Sequence, residues 1–258
     1  MAEHSTVQSV DKAMTLLEIL LRHRAPMSLQ ELAAASGYPK STTHALLATM
    51  RGHAVIEQRE DGRYALGIRL FECGCAVSSA WDIGRLAHPH LEQLAAAAGA
   101  SAFLALLDGI NAISFDQSIS DSGLQVVPAI GGRMPLHATS QGKVLLSCKS
   151  DREVLQILEK SGMQAFTPHT ITDPNRFVEG LAAVRRQGYA VEDGEYRIGL
   201  RSAAAPVYNR DGQVRYALGV AGLFRRVQAE DFQNAIAHLV HQARQLSMAL
   251  GWREEKEL

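Results

Sequence analysis

Apolar residues recur at helical spacing in three short segments near the start of the chain. The first helix is predicted to bury the apolar positions Val10, Ala13, Leu17, Leu20 and Leu21. A capping box from Ser28 to Glu31 begins the second helix, and Gly37 ends it. Pro39 begins the third helix, whose inward positions are Thr43, Leu46, Leu47 and Met50.

The third helix leaves a polar face outside, and a hairpin pattern follows it. Residues 55–59 and 63–66 resemble strands around the turn 60–62. Helix, short turn with glycine, second helix and hairpin form the pattern of a winged helix-turn-helix. The donor-bearing residues assigned to DNA are Lys40, Ser41, Thr42 and His44 on the helix and Arg59 and Arg63 on the hairpin. The alternative is an ordinary helical bundle with a solvated polar face.

The rest of the chain mixes helical and strand-like segments. Residues 67–98 are predicted as helix to about Ala80 and again from about Pro89, because proline disfavours a helical residue before it. Predicted strands follow at 102–107, 112–116, 124–130, 189–196, 203–208 and 214–221. Helices are predicted at 138–148, from the cap at 150, at 173–188 and at 229–250. Hairpins without regular βαβ alternation predict an α+β fold with a largely antiparallel sheet and flanking helices.

Length, charge and cysteine content exclude a few classes of protein but do not indicate one function. The 258 residues suggest about two domains. Lys and Arg number 26 against 27 Asp and Glu, which excludes a uniformly basic protein, although residues 36–69 hold five cations and three anions, a balance of +2. Three cysteines without zinc-site spacing favour a reducing cytoplasm and no metal or cofactor. No segment reaches the about 20 apolar residues of a membrane helix.

A second candidate site begins at the turn 135–143, which leads into a helix. The free N–H groups of a helix's first turn attract an anion, and Thr139, Ser140 and Gln141 add side-chain donors before Gly142. The alternative is a polar cap without a ligand. An enzyme with an anionic substrate would need acid–base partners there, and only His137 and Glu192 qualify, with no third group apparent. A protein-interaction module that has lost DNA binding is a further alternative.

The sequence resembles the IclR family of bacterial transcriptional regulators in several motifs that occur in register. They are residues 28–33, 36–44, 61–67, 135–139, 142–143, 170–174 and 188–191. The resemblance covers nearly the whole chain. It implies a winged helix-turn-helix domain at 1–66, a linker helix at 67–84 and a GAF-like effector-binding domain at 85–258. Family members typically pair through their DNA-binding domains and often form dimers of dimers, so a homodimer is expected here.

The resemblance also implies which residues surround an effector. Opposite the Thr139–Gly142 helix start, the matching positions are Glu192, Ser202, Gly219 and Ala221. Because Gly219 and Ala221 stand where some relatives use serines to bind a small oxoacid, a roomier pocket for a bulkier or aromatic acid is expected. Ala45 departs from a common arginine, which changes the expected operator contacts. The expected function is a regulator that binds operator DNA and responds to a small organic acid, not an enzyme.

Overall fold

The computed structural model describes residues 7–80, 83–119 and 128–253. The chain divides into two compact units, Met1–Trp81 and Asp82–Leu258. None of the helices in the described ranges is long and apolar enough to cross a membrane.

Within its described residues, the first unit contains four helices and one hairpin. Its elements are α1 (Gln8–His23), α2 (Leu29–Ser36), α3 (Lys40–Gly52), β1 (Ile56–Gln58), β2 (Tyr64–Leu66) and α4 (Ile68–Ala80). The capping box predicted at Ser28 is present, and Gly37 ends α2 in the left-handed conformation with φ 71°. Met27 exchanges two backbone hydrogen bonds with Tyr64, so the segment before α2 adds to the hairpin. A helix-turn-helix followed by a wing is therefore confirmed.

Helix α1 carries two apolar stripes rather than one. Leu16 and Leu20 are buried in the core of the unit. Val10 and Leu21, which the sequence pattern placed inward, are each 59% exposed. On a helix of 3.6 residues per turn the two stripes lie about 100° apart. Only one of them can face α2 and α3, so the prediction for Val10 and Leu21 was wrong.

The second unit is an antiparallel sheet with helices on both faces. Its helices are α5 (Ile83–Ala98), α6 (Ser140–Ser147), α7 (Asp151–Ser161), α8 (Pro174–Gln187) and α9 (Glu230–Ala249). Its strands are β3 (Ser101–Asp108), β4 (Asn111–Ser118), β5 (Arg133–Pro135), β6 (Ala190–Asp193), β7 (Arg201–Tyr208) and β8 (Val214–Gly222). The strand order is β5-β4-β3-β8-β7-β6, and all described pairings are antiparallel. The predicted α+β class is confirmed.

Each face of this sheet has its own hydrophobic core. Alternate residues of a strand point to opposite faces. Leu104 and Leu218 pack with Leu91 of α5 and Leu239 of α9. On the other face, residues of α6, α7 and α8 pack against Ala204 and neighbouring strand residues. The start of α6 therefore lies inside the unit, against the sheet.

Two predictions about segment boundaries were wrong. Helix α5 runs through Pro89, which loses one backbone hydrogen bond there. Buried Ala87, Leu91 and Leu94 hold the helix on the sheet and outweigh that loss. The strand predicted at 189–196 ends at Asp193, because the chain turns at Gly194 with φ 69°.

The strand predicted at 124–130 lies mostly outside the described part of the chain. Its first four residues lie outside the described ranges, and residues 128–130 are not in a strand. The next described strand is β5, which begins after the Gly131-Gly132 turn.

Candidate functional site

Helix α3 presents a polar surface at its amino-terminal end. The exposed or half-buried polar side chains there are Lys40, Ser41, Thr42 and His44. On the opposite side Thr43 is fully buried, and its hydroxyl donates to the Pro39 carbonyl at 3.1 Å. Within the described chain, nothing forms a hydrogen bond or ion pair with the side chains of Lys40 and His44. This surface offers donors of the kind that phosphates and base edges accept.

The wing holds its arginines against acidic side chains of the same unit. Arg63 Nη1 lies 3.1 Å from the Glu31 carboxylate on α2 and donates to the Pro26 carbonyl at 3.2 Å. Arg59 Nε lies 3.8 Å from the Glu57 carboxylate. The contacts therefore give Arg63 a structural role, joining the wing to α2, which the sequence did not predict.

The first turn of α4 is fixed to the segment that follows α3. The Gly67 N–H donates to the Val55 carbonyl at 2.9 Å, and the Arg69 N–H donates to the Ala54 carbonyl at 3.1 Å. The same turn shows large apolar side chains to solvent, with Ile68 62% and Phe71 68% exposed. An apolar surface is therefore present at the start of the helix that the resemblance assigned as the linker.

In the second unit, the buried cap of α6 builds the predicted anion-attracting turn. The Thr139 hydroxyl donates to the Pro135 carbonyl at 2.7 Å and accepts from the Gly142 N–H at 3.3 Å. A Cβ at Gly142 would lie 2.1 Å from the Leu136 carbonyl oxygen, so only glycine lets the helix approach the preceding turn. Gly142 therefore shapes the turn. It does not line the small cavity that lies between the start of α6 and the sheet.

The polar side chains after the cap are linked by hydrogen bonds. The hydroxyl oxygens of Ser140 and Ser202 lie 2.8 Å apart, and Ser202 donates to Glu192 Oε2 at 3.0 Å. The Ser140 hydroxyl also lies 3.3 Å from the Gln141 side-chain oxygen, to which it donates. Gln141 Nε2 donates to the Met134 sulfur at 2.7 Å. This chain of contacts connects the start of α6 with β7 and β6.

Four strands contribute one row of side chains opposite α6. Glu192 pairs across the sheet with Ser202, Ser202 with Ala221, and Ala221 with Ser101. Paired positions share one face of a sheet. The residues that the family resemblance assigned to the far wall, Glu192, Ser202 and Ala221, are therefore neighbours.

A small cavity lies between this row and the start of α6. The predicted residues that line it are Thr139, Gln141, Glu192, Ser202 and Ala221. Sequence reasoning missed the lining residues Phe103, Pro128, Met134, Tyr196 and Leu200. Strand alternation hinted only at Phe103, by placing it on the face opposite Ala102 and Leu104. The cavity has a volume of about 20 Å³, which is room for one water molecule.

The space beside Gly219 is occupied. Gly219 pairs with Phe103 in the sheet, and a Cβ at Gly219 would lie 2.1 Å from Phe103 Cζ. Glycine at this position therefore admits the phenyl ring and leaves no empty space. The expectation that Gly219 makes the pocket roomier is wrong for this structure, because β3 supplies a large side chain that fills the gap.

Aromatic side chains stack beside the cavity. The Tyr196 and Phe166 rings meet edge to face at 5.2 Å, and the Phe166 and His137 rings stack at 5.8 Å. The Arg197 guanidinium lies 5.6 Å from the Tyr196 ring centre. The cavity wall at Tyr196 is thus part of a packed aromatic group that reaches the surface at Phe166.

Burial dominates the chemistry of Glu192. It is 1% exposed, and desolvation raises the pKa of its carboxyl group above the ordinary value. The backbone N–H groups of Tyr196 and Glu195, at 3.1 and 2.7 Å, donate to Oε1 and oppose that rise, as does the Ser202 hydroxyl. These three donors make Glu192 an anchor for the turn after β6.

A buried ion pair stands next to this anchor. Lys143 Nζ contacts Glu195 Oε1 and donates to the Val191 carbonyl at 3.0 Å. Glu195 Oε2 is buried and has no hydrogen-bond partner. The pair ties α6 to the edge strand β6 and to the turn that follows it.

The two acid–base candidates of an enzyme are not paired. The His137 Nε2–H donates to the Gln164 carbonyl at 3.0 Å, whereas Glu192 accepts from Ser202 and two backbone groups. No hydrogen bond within the described ranges joins the two side chains. The geometry is that of a binding cavity with a built polar wall.

A winged helix-turn-helix unit and a second unit with such a cavity together define a DNA-binding transcription regulator. The model for the IclR helix-turn-helix domain matches residues 9–60, and that for the bacterial transcriptional regulator IclR C-terminal domain matches residues 75–248. The chain belongs to the IclR family of bacterial transcriptional regulators. This confirms the resemblance, and the enzyme interpretation is set aside.

Relatives match along nearly the whole chain. HTH-type transcriptional regulator XynR of Escherichia coli K12 is 32% identical over 247 residues, which is 95% of this chain and 98% of that protein. The crystal structure of an IclR regulator from Alicyclobacillus acidocaldarius has 28% identity and a TM-score of 0.82, with 95% and 100% of the two chains covered. An IclR homolog from Microbacterium hydrocarbonoxydans, complexed with 4-hydroxybenzoate, has 24% identity and a TM-score of 0.84, with 94% and 98% covered.

Proposed function

We propose that the protein binds an operator with the amino-terminal end of α3, and that a small organic acid in the cavity beside α6 changes its affinity for the operator. The observation that carries the proposal is the buried start of α6 opposite the row Glu192, Ser202 and Ala221. The proposed domains are the winged helix-turn-helix at 1–66, the linker helix at 67–84 and the effector-binding domain at 85–258. The proposed location of the protein is the cytoplasm, where operator DNA is found.

For DNA, the proposed contacts are Lys40, Ser41, Thr42 and His44, with Arg59 adding charge from the wing. The exposed donors of α3 support direct readout in the major groove. Arg63 contributes mainly by holding the wing on α2, as its 3.1 Å contact with Glu31 indicates.

For the effector, the proposed recognition element is the first turn of α6. Thr139 caps it, and no acceptor in the described chain takes the N–H groups of Ser140 and Gln141. Free N–H groups and the helix dipole favour a carboxylate at this end. The bound 4-hydroxybenzoate of the Microbacterium relative supports an organic acid as the ligand class.

The proposed working form is a homodimer, or a dimer of dimers. Val7, Val10, Met14, Leu17 and Leu21 follow one another three and four residues apart on α1 and the residue before it. This is the spacing by which helices pair side by side. Four of the five side chains are more than half exposed. Pairing with a second copy of the chain would bury this stripe. Two copies also match two half-sites about one helical turn apart.

The test begins with DNA selected from a random pool by the purified protein. A panel of carboxylates that includes 4-hydroxybenzoate, benzoate and pyruvate is then screened by thermal shift, since a ligand of the native state raises the unfolding temperature. Acids that bind are expected to change the affinity for the selected DNA. Ala221→Phe is expected to keep DNA binding and lose the acid response, whereas Ile110→Phe, in a surface turn, keeps both.

Loss of the acid response in both variants, or in neither, would contradict the placement of the effector. Equal DNA affinity with and without every binding acid would contradict the regulatory role, because a ligand shifts an equilibrium only by binding its states unequally.

A further inference from the structure

The Phe103 side chain fills space beside the proposed effector cavity. Phe103 is 1% exposed, and its ring fills the notch above Gly219. With Leu200 and Ala221 it forms a small apolar cluster separate from the two larger cores of the unit. The ring is therefore held by packing against the cavity walls.

The cavity with the ring in place is too small for any acid. Its volume of about 20 Å³ suits one water molecule, and a carboxylate group alone has three heavy atoms. A wall residue must move before an effector enters. Thr139, Glu192 and Ser202 each take part in at least two hydrogen bonds. The phenyl ring of Phe103 has none to break.

We propose that Phe103 determines which acids this site accepts: its ring leaves the Gly219 notch, and the effector's body takes its place in the apolar cluster. The inference rests on the proposed effector site and names the ligand class. The ligand is a monocarboxylic acid with a compact apolar or aromatic body. Its carboxylate faces the first turn of α6, and its body lies against Leu200 and Ala221.

The same walls disfavour a polyhydroxylated acid. Most polar groups of the cavity already bond to one another, as in the chain from Ser140 through Ser202 to Glu192. Additional hydroxyl groups would either break these bonds or be buried without partners, and both are costly. A sugar acid is therefore expected to bind much more weakly than an aromatic acid of similar size.

The first experiment observes the ring directly in the full-length protein. The chain has seven phenylalanines, so 4-fluorophenylalanine labelling gives seven fluorine signals, and the Phe103 signal is the one missing in Phe103→Leu. Benzoate, 4-hydroxybenzoate, phenylacetate, isobutyrate and gluconate are titrated in turn. The tightest binder is expected to shift the Phe103 signal more than those of Phe177 and Phe232, which lie in the two main cores.

The second experiment compares affinities by calorimetry. Phe103→Leu removes the ring that must be displaced, so it is expected to bind the tightest aromatic acid about tenfold better than wild type. Phe177→Leu is the matched control, because it makes the same change in the buried core at α8, away from the cavity, and is expected to leave the affinity unchanged. If Phe103→Leu does not fold, Phe103→Met serves the same purpose with a flexible side chain.

The outcomes separate this inference from the proposed function. An acid that binds without shifting the Phe103 signal overturns the role of Phe103 and leaves the effector site standing. Tighter binding of gluconate than of the aromatic acids overturns the ligand class. If no acid binds wild type or either Phe103 variant, the effector site and this inference both fall.

Discussion

The Arg63 guanidinium lies 3.1 Å from the Glu31 carboxylate, so the wing is clamped to helix α2 by a side chain that the sequence assigned to DNA. The same group donates to the Pro26 carbonyl. We expect Arg63→Ala to weaken operator binding by misplacing the wing, while the dependence of affinity on salt stays nearly unchanged. A phosphate contact would instead lower the salt slope by about one unit.

Arg59→Ala is the matched variant for this measurement. Its pair with Glu57 is exposed and longer, at 3.8 Å, so its charge remains accessible to a phosphate. Its removal is expected to lower the salt slope, as measured by fluorescence anisotropy over a range of salt concentrations. A lower slope for Arg63→Ala and not for Arg59→Ala would show that the two roles are reversed.

Substitution of the outward donors of α3 is expected to reduce the discrimination between operator and random DNA. His44→Ala is expected to cost about 1–3 kcal/mol on the selected operator and much less on random DNA, because base-edge contacts are worth about that much. Lys40→Ala is expected to weaken binding to both. Arg22→Ala serves as the control, since Arg22 is exposed on α1 and paired with Glu18. Unchanged discrimination between operator and random DNA in His44→Ala would remove that residue from the interface.

The raised pKa of Glu192 predicts that the affinity for the effector depends on pH. Burial raises the pKa of its carboxyl group, and a carboxylate ligand nearby raises it further, so binding takes up a proton. Affinity is therefore expected to fall as pH rises through the pKa of Glu192, which lies above the ordinary value. Glu192→Gln is expected to flatten this profile in calorimetry over pH, with proton uptake measured in buffers of different ionisation enthalpy. A rise of affinity with pH in the wild type would contradict the sign.

The buried Lys143–Glu195 pair predicts an asymmetry between single and double substitutions. Lys143→Met leaves Glu195 buried without its counter-charge and is expected to cost about 3–5 kcal/mol of unfolding free energy. The double variant Lys143→Met with Glu195→Met is expected to recover most of that loss. Urea unfolding followed by the fluorescence of Trp252, which stacks on Tyr208 in the same unit, measures both. A double variant as unstable as the single one would show that the pair contributes by packing.

The exposed stripe of α1 predicts the oligomeric state. Met14 is 52% exposed within the heptad-spaced set, and Met14→Glu is expected to convert the dimer to a monomer. Gln8→Glu adds the same charge to α1 outside the stripe and is expected to remain dimeric. Light scattering coupled to size exclusion distinguishes the two. A monomeric wild type at micromolar concentration would contradict the proposed dimer.

Interactions between residues close in sequence were predictable from the chain alone. The capping box at Ser28, the left-handed Gly37 and the buried face of α3 each depend on residues three or four positions apart. The helix start at Thr139 belongs to the same group, and the structure places its cap one residue from where the pattern began. Such interactions are complete within one turn of helix, so their signal is present in the local sequence.

Features that depend on distant residues required the tertiary structure. Val10 is exposed and Leu16 buried because α2 and α3 cover only one of the two apolar stripes of α1. Pro89 remains helical because packing of α5 on the sheet outweighs one lost hydrogen bond. The local sequence pattern favoured the opposite outcome at both Pro89 and Val10.

The candidate cavity shows the same division. The sequence by itself determined the family, the helix-turn-helix, the wing and the turn that begins α6. Only the tertiary structure decided that Phe103 fills the notch at Gly219 and that Arg63 clamps the wing. The physical reason at Phe103 is that antiparallel pairing brings together residues more than a hundred positions apart, and the register of β3 on β8 is set by the packing of the whole sheet. Arg63 and Glu31 are 32 positions apart, beyond the reach of any local pattern.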